Sequence, residues 1–335
     1  MRLAAAVLLA LTLAGCSAEK SEPAAAETAF AGALGTVEVV EPVGTGVGWI
    51  DVDAVAAAPG SDRRALEAIA GALGPGGDDF LAEARPGLAR LGFDPGNASQ
   101  IVSLNGSYTF GLRVDGVSTR RLGSELGAPA AEAGDWDLYD LAEFGTAPQG
   151  RLGRLTSATG AYVALSERAA AFARSAGNRS NLFEVEEPAA QADVLKFAAE
   201  CLGEVSAARV LPNNFNYLPK LGPRFAALGV RPLARQQVEV LCGIEESSED
   251  IEAYAAELQE RLAPGALEPT LGKRMGALID DVEIDTVEGD GYHAARAVVT
   301  LAEREEPGFV FRSFNRGSLV TFFGFQDPTS GVEAP

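Results

Sequence analysis

The chain has 335 residues, a formal net charge of −20 and a hydrophobic share of 47%. That length and apolar content suit one large core or two modest ones, and argue against disorder along the whole chain. So acidic a surface repels phosphate backbones, so no nucleic-acid partner is expected. The single histidine, His293, rules out multi-histidine metal centres.

The first element is an apolar run from Leu3 to Leu13 behind Arg2. A bilayer-crossing helix needs about 20 apolar residues, so this run is too short to span but suits the core of a secretory signal peptide. It ends in Leu13-Ala14-Gly15-Cys16. This tetrapeptide resembles the lipobox of bacterial lipoproteins: an aliphatic residue, two small residues and a cysteine. The resemblance covers residues 1–16 only. It implies removal of residues 1–15, a diacylglycerol on the Cys16 thiol, and a body held at the cell membrane on the extracytoplasmic side. Residues 16–36 then read as a lipid-anchored flexible tether, low in bulky apolar side chains and carrying a proline. Ser17 and Lys20 match an S-x-x-K pattern, but the S-D-N and K-T-G elements of penicillin-binding enzymes do not occur.

From Gly35, the stretch GTVEVVEPVGTGVGWIDVDA predicts two strands joined by a glycine-rich turn. Gly44, Gly46 and Gly48 are spaced G-x-G-x-G, not G-x-G-x-x-G, and Ile50 to Asp53 reads as continued strand alternation. Helices are expected from Ser61 and over 78–91, the latter broken at Pro86. Residues 106–129 and 236–264 then share one order: strand, polar turn, helix, proline. Strands at 136–140 and 161–165 and a helix at about 167–176 follow the first. Strands at 282–287, 292–301, 309–314 and 319–325 follow the second.

This pattern predicts an α+β fold of two pseudo-repeated halves, each split-βαβ-like with antiparallel sheets and packed helices. The expected boundaries are 37–211 and 212–330, with the joint in the proline- and asparagine-rich stretch 211–225. Phe215 and Tyr217 there suit packing of the linker onto a neighbouring half.

Cys201 falls at helical spacing with Val194, Ala198 and Val205. Cys242 alternates with Val238, Val240 and Ile244 on a strand. Both point toward a core. An oxidising compartment makes them a candidate disulfide, and the alternative of two separate buried thiols stays open.

Acidic clusters are the remaining chemistry. Asp135, Asp137 and Asp140 lie within six residues and are the candidates for paired-carboxylate hydrolysis. Asp281, Glu283 and Asp285 share one strand face and are weak metal candidates. The default for that face is solvation. His293, near the start of a half-buried strand, reads as structural. Arg113, Arg120, Arg121, Arg151 and Arg154 lie in the least acidic stretch; gathered on one surface they would receive an anionic ligand or an acidic partner, and the default is ion pairing across a solvated surface.

The sequence therefore points to a lipid-anchored extracytoplasmic binding or interaction protein of a bacterial envelope. No cofactor and no catalytic residue is expected. Its partners are the membrane, through Cys16, and an unknown envelope protein or small ligand. A carboxylate hydrolase and a structural lipoprotein without a small ligand are the alternatives.

Overall fold

Strand after strand in this chain carries apolar or small side chains on both faces, and a sheet of such strands must be covered on both sides. The computed structural model describes residues 28–40, 45–58, 63–74, 80–106, 110–141, 160–212, 223–268, 271–303 and 305–313. They run α1 (Ala29–Leu34), β1 (Thr45–Asp51), α2 (Val52–Ala57), α3 (Arg63–Ile69), α4 (Arg85–Arg90), β2 (Gln100–Gly106) and β3 (Phe110–Asp115). Next come α5 (Arg120–Leu126), β4 (Ala131–Ala133), β5 (Trp136–Asp140), β6 (Tyr162–Leu165), β7 (Ala169–Ala173) and α6 (Ala176–Ser180). The chain continues with α7 (Asp193–Leu202), β8 (Ala207–Pro212), β9 (Phe225–Val230), β10 (Val238–Glu245) and α8 (Ser248–Arg261). It closes with a small ribbon, β11 (Leu267–Glu268) and β12 (Lys273–Arg274), then β13 (Ile279–Gly289), β14 (Tyr292–Leu301) and α9 (Phe309–Ser313).

Twelve strands form one sheet in the order β13-β14-β10-β9-β8-β1-β2-β3-β7-β6-β5-β4. All its pairings are antiparallel. The fold is thus α+β. The order also shows a repeat. Reading outward from the centre, β1-β2-β3-β7-β6 matches β8-β9-β10-β14-β13, and α5 and α8 occupy the same place after the third strand. The two sets meet where β1 pairs antiparallel with β8, from Val47 opposite Val210 to Ile50 opposite Ala207. A pseudo-twofold relation therefore passes through the middle of a continuous sheet.

This corrects the expected boundaries. The 211–225 joint falls between β8 and β9, inside the second set, and Phe215 and Tyr217 lie outside the described residues. The topological division instead precedes α7. The stretch 16–36, expected to be a tether, contains a helix at its described end. Thr28 caps α1 by accepting from the Ala31 N–H at 3.2 Å, and α1 buries Phe30, Ala33 and Leu34. Phe30 packs against Trp49 with ring centroids 5.6 Å apart.

Helices cover both faces. On one, α2, α3, α4, α5, α8 and α9 share a core with Ile50, Ile101, Leu112, Phe172, Leu241 and Val299. On the other, α1 and α7 pack on Trp49, Val102, Ala171, Val240 and Ala294. Burial on two sides explains three local departures from the expected elements. Ser166 and Ala169 close a tight hairpin, so Ala169–Ala173 is a fully buried strand where a helix was expected. Burial overrides alanine's helix preference there. Asp51 accepts from the Ala54 N–H at 2.8 Å and starts α2 at Val52, so the expected hairpin over 35–54 is a strand followed at once by a helix. Residues 309–313 are the helix α9 and not a strand; 319–325 lies outside the described residues.

Gly48 shows why β1 is glycine-rich. A Cβ there would lie 2.2 Å from the Ala72 carbonyl oxygen, because the 3₁₀ turn Ala70–Leu73 rests directly on the strand. Ser103 and Asn105 both donate to the Leu73 carbonyl at 2.8 Å and hold that turn down.

Cys201 of α7 and Cys242 of β10 form a disulfide, with Cα atoms 6.5 Å apart and a sequence separation of 41. Both are fully buried. The bond staples the covering helix to the sheet. The doubly substituted Cys201→Ala/Cys242→Ala protein is expected to lose about 3–4 kcal/mol of stability, the loop-entropy value for such a separation. Urea denaturation under non-reducing conditions measures this, and the difference should vanish when both proteins are unfolded with reductant present.

Candidate functional site

The sheet has two ends, and they differ. One edge is β4, three residues long. The other is β13, eleven residues long, with no neighbour on its outer side among the described residues. Beside that long edge runs α8. Ser247 caps it, accepting from the Asp250 N–H at 3.4 Å, and Ile251, Tyr254 and Leu258 form its buried stripe. Tyr254 lies on the backbone of β10 at Gly243, where a Cβ would be 2.2 Å from its Cε1. This close approach fixes how low the helix sits.

The flank of α8 turned toward β13 carries Ala255, Ala256 and Gln259, and Leu262 and Ala263 follow just past its end. A groove of about 740 Å³ results between helix and strand. Its floor is apolar, with Met275, Ile279, Val282 and Ile284; Asp280 and Thr286 border it, and Asp281 and Asp285 stand at its margin on the opposite face of β13. Val282 and Ile284 are only half-buried, although they pack against the main core. The turn at Pro264 and Gly276 closes one end, through the Gly276 N–H donating to the Pro264 carbonyl at 3.0 Å.

The acidic strand face is resolved in part by the sheet itself. Asp285 stands opposite Arg296 of β14, whose Nε donates to it at 2.9 Å. That hydrogen bond raises the Arg296 guanidinium above its ordinary range. Asp281 accepts from the Val282 N–H at 2.9 Å. Alternate residues on a strand stand roughly 7 Å apart, so Asp281, Glu283 and Asp285 do not converge on one point. No group of three His, Cys, Asp or Glu residues is gathered for a metal among the described residues.

The carboxylates suggested for hydrolysis are not brought together. Asp135 sits in the turn before β5. Asp137 and Asp140 are three apart on β5 and so project to opposite sides of the sheet. Asp140 is held by Arg179 at 2.7 Å. His293 stands between Glu245 and Glu288 on the flanking strands, its Nδ1 3.9 Å from Glu288. Arg113 bonds the Thr36 and Leu182 carbonyls at 2.7 and 2.9 Å and pairs with Asp115. It is a structural tie, not part of an anion site. Arg120 and Arg121 begin α5, while Arg151 and Arg154 lie outside the described residues, as does Cys16.

One buried group escaped sequence reading. Glu239 of β10 is fully buried on the α8 face, and its carboxyl accepts from the N–H groups of Gly308, Phe309 and Val310 at 2.6, 3.0 and 2.8 Å. It is the pin that docks α9. The sequence assigns the core face of this strand to Val238, Val240, Cys242 and Ile244; Leu241, which shares the face of Glu239, is the signal that the other face is buried too. Burial pushes the Glu239 carboxyl up to about 7, against the opposing pull of the three N–H groups and Arg312.

No family model matches the chain, and no curated protein sequence matches it. Among solved structures, crystal forms I and III of TP0453 align at TM-scores of 0.36 and 0.35 with 11% and 12% identity. Each alignment covers 84% of this chain and 98% of that one. Likeness at that level carries no argument about function.

The Glu239 carboxyl binds its proton more tightly folded than unfolded. Its contribution is complete below about pH 4.5 and is lost as pH rises toward 7. Unfolding free energy is therefore expected to fall by on the order of 3 kcal/mol through this group between pH 4.5 and 8. In Glu239→Gln that slope should flatten, with a lower starting stability because the amide nitrogen faces backbone donors. Denaturant titrations across pH measure both.

Proposed function

We propose that the protein is a lipid-anchored, extracytoplasmic binding protein of a bacterial cell envelope, with its ligand seated between α8 and β13. The observation that carries this reading is the groove: half-buried Val282 and Ile284 with acidic residues at its margin, beside a long sheet edge. An apolar floor with a few polar groups at its border is the usual make-up of a binding site. The lipobox-like residues Leu13 to Cys16 supply the anchor. Two acyl chains hold durably where a single chain holds only marginally. Cys16 precedes α1 by a short stretch, so anchor and body would remain close neighbours.

The absence of converging carboxylates among the described acidic candidates gives the hydrolase alternative no support, and a binding role needs none. Cys16→Ser is expected to move the protein from the membrane to the soluble fraction and to abolish labelling by a lipid precursor; membrane retention of the variant would overturn the anchor. Independently, a component of envelope extracts held by the immobilised full-length protein should be held roughly tenfold more weakly by Ile284→Arg, about 1.4 kcal/mol. Equal retention by that variant, with unchanged folding by circular dichroism, would remove the groove from the reading.

A further inference from the structure

The two halves of the sheet match strand for strand until their outer ends, and there they part. By the pseudo-twofold relation β6 corresponds to β13. In the first half the outer side of β6 is already occupied. The β4–β5 hairpin, inserted between α5 and β6, folds back and places β5 antiparallel against it, Asp137 opposite Leu165 through Asp140 opposite Tyr162. In the second half the insertion between α8 and β13 is the small β11–β12 ribbon, which pairs only with itself. The place taken by β5 in one half is therefore vacant in the other among the described residues. The vacancy is longer than its counterpart, because β13 has eleven residues and β6 has four.

An unpaired edge presents a row of backbone donors and acceptors that an extended chain can complete. Which chain fits is decided by the side chains that would flank it. On the groove side of β13 stand Val282 and Ile284, part of the apolar floor. On the opposite side stand Asp281 and Glu283, both exposed. A strand added here meets apolar surface with every second residue and negative charge with the residues between. Asp285 is already paired with Arg296, so the uncompensated charge lies toward the Asp281 end.

Building on the groove reading above, we infer that the ligand is an extended, cationic peptide segment that adds to β13 as an antiparallel strand. Its alternate side chains are apolar, entering the groove, and basic, facing Asp281 and Glu283. The same negative row rejects acidic strands and a second copy of this acidic chain.

The test uses full-length protein in detergent and a fluorescent probe, acetyl-Lys-Val-Lys-Val-Lys-Val-Lys-amide, followed by anisotropy. Three controls accompany it: the same peptide with Glu for Lys, the same peptide N-methylated at alternate residues along either edge, and the protein variant Asp281→Lys/Glu283→Lys. The expected result is saturable binding of the Lys peptide, weakened at least tenfold by the Glu replacement and by N-methylation of one edge. The protein variant should lose the Lys peptide by a similar factor and gain the Glu peptide. Binding indifferent to both N-methylated edges, or to charge, overturns the strand addition.

No binding of the Lys peptide also overturns it. The groove reading then survives only if Ile284→Arg still releases the envelope component. Deletion of 314–335 that raises probe affinity would give the edge to this chain's own C-terminal segment, and concentration-dependent dimers blocked by Asp281→Lys/Glu283→Lys would give it to a second copy. Either result rejects a foreign peptide as the natural occupant.

Discussion

Pairing β1 against β8 converts two modest antiparallel sheets into one of twelve strands. Everything else in the molecule answers the demand that this creates. A sheet this wide buries its central strands on both faces, so each must be apolar twice over and each face needs its own layer of helices. The short helices α1 and α7 meet that need on one side, and six others meet it on the other. The disulfide from α7 to β10 fastens the thinner layer at its longest helix.

Two-sided burial also dictates where unusual residues stand. Glycine at position 48 lets a 3₁₀ turn rest on the strand backbone, and glycine at 243 admits the Tyr254 ring. Glu239 is tolerated in the interior because three backbone N–H groups converge on it, satisfying donors at the start of α9 that burial would otherwise leave unmatched. The pin is weaker in a medium where its carboxyl must ionise without water. Its stabilising effect is thus tied to pH in the range just below neutrality.

The pseudo-twofold relation organises the fold and bears on the proposed site. Its first half spends an insertion on a hairpin that covers the edge, and its second half leaves that edge open beside α8 among the described residues. A long exposed edge carries an aggregation hazard, and a row of acidic side chains is a common protection against it. In the strand addition proposed above, the same row would disfavour self-association between acidic bodies and favour a basic strand, together with the apolar floor. A tether at the membrane would restrict where such a strand is met.

Much was legible in the linear chain. The recurrence of strand, turn, helix and proline at 106–129 and 236–264 corresponds to β3–α5 and β10–α8, the equivalent elements of the two halves. The inward direction of Cys201 and Cys242 followed from periods of 3.6 and 2, and so did the exposed alternation of Asp281, Glu283 and Asp285, because local periodicity is a property of the backbone alone. Pairing partners are not. The merger at β1 and β8, the strand state of Ala169–Ala173, the burial of Glu239 and the open flank of β13 each depend on what lies on the far side of a residue. Only the tertiary structure decided them, since burial and edge position arise from contacts between segments distant in sequence and leave no period in either one.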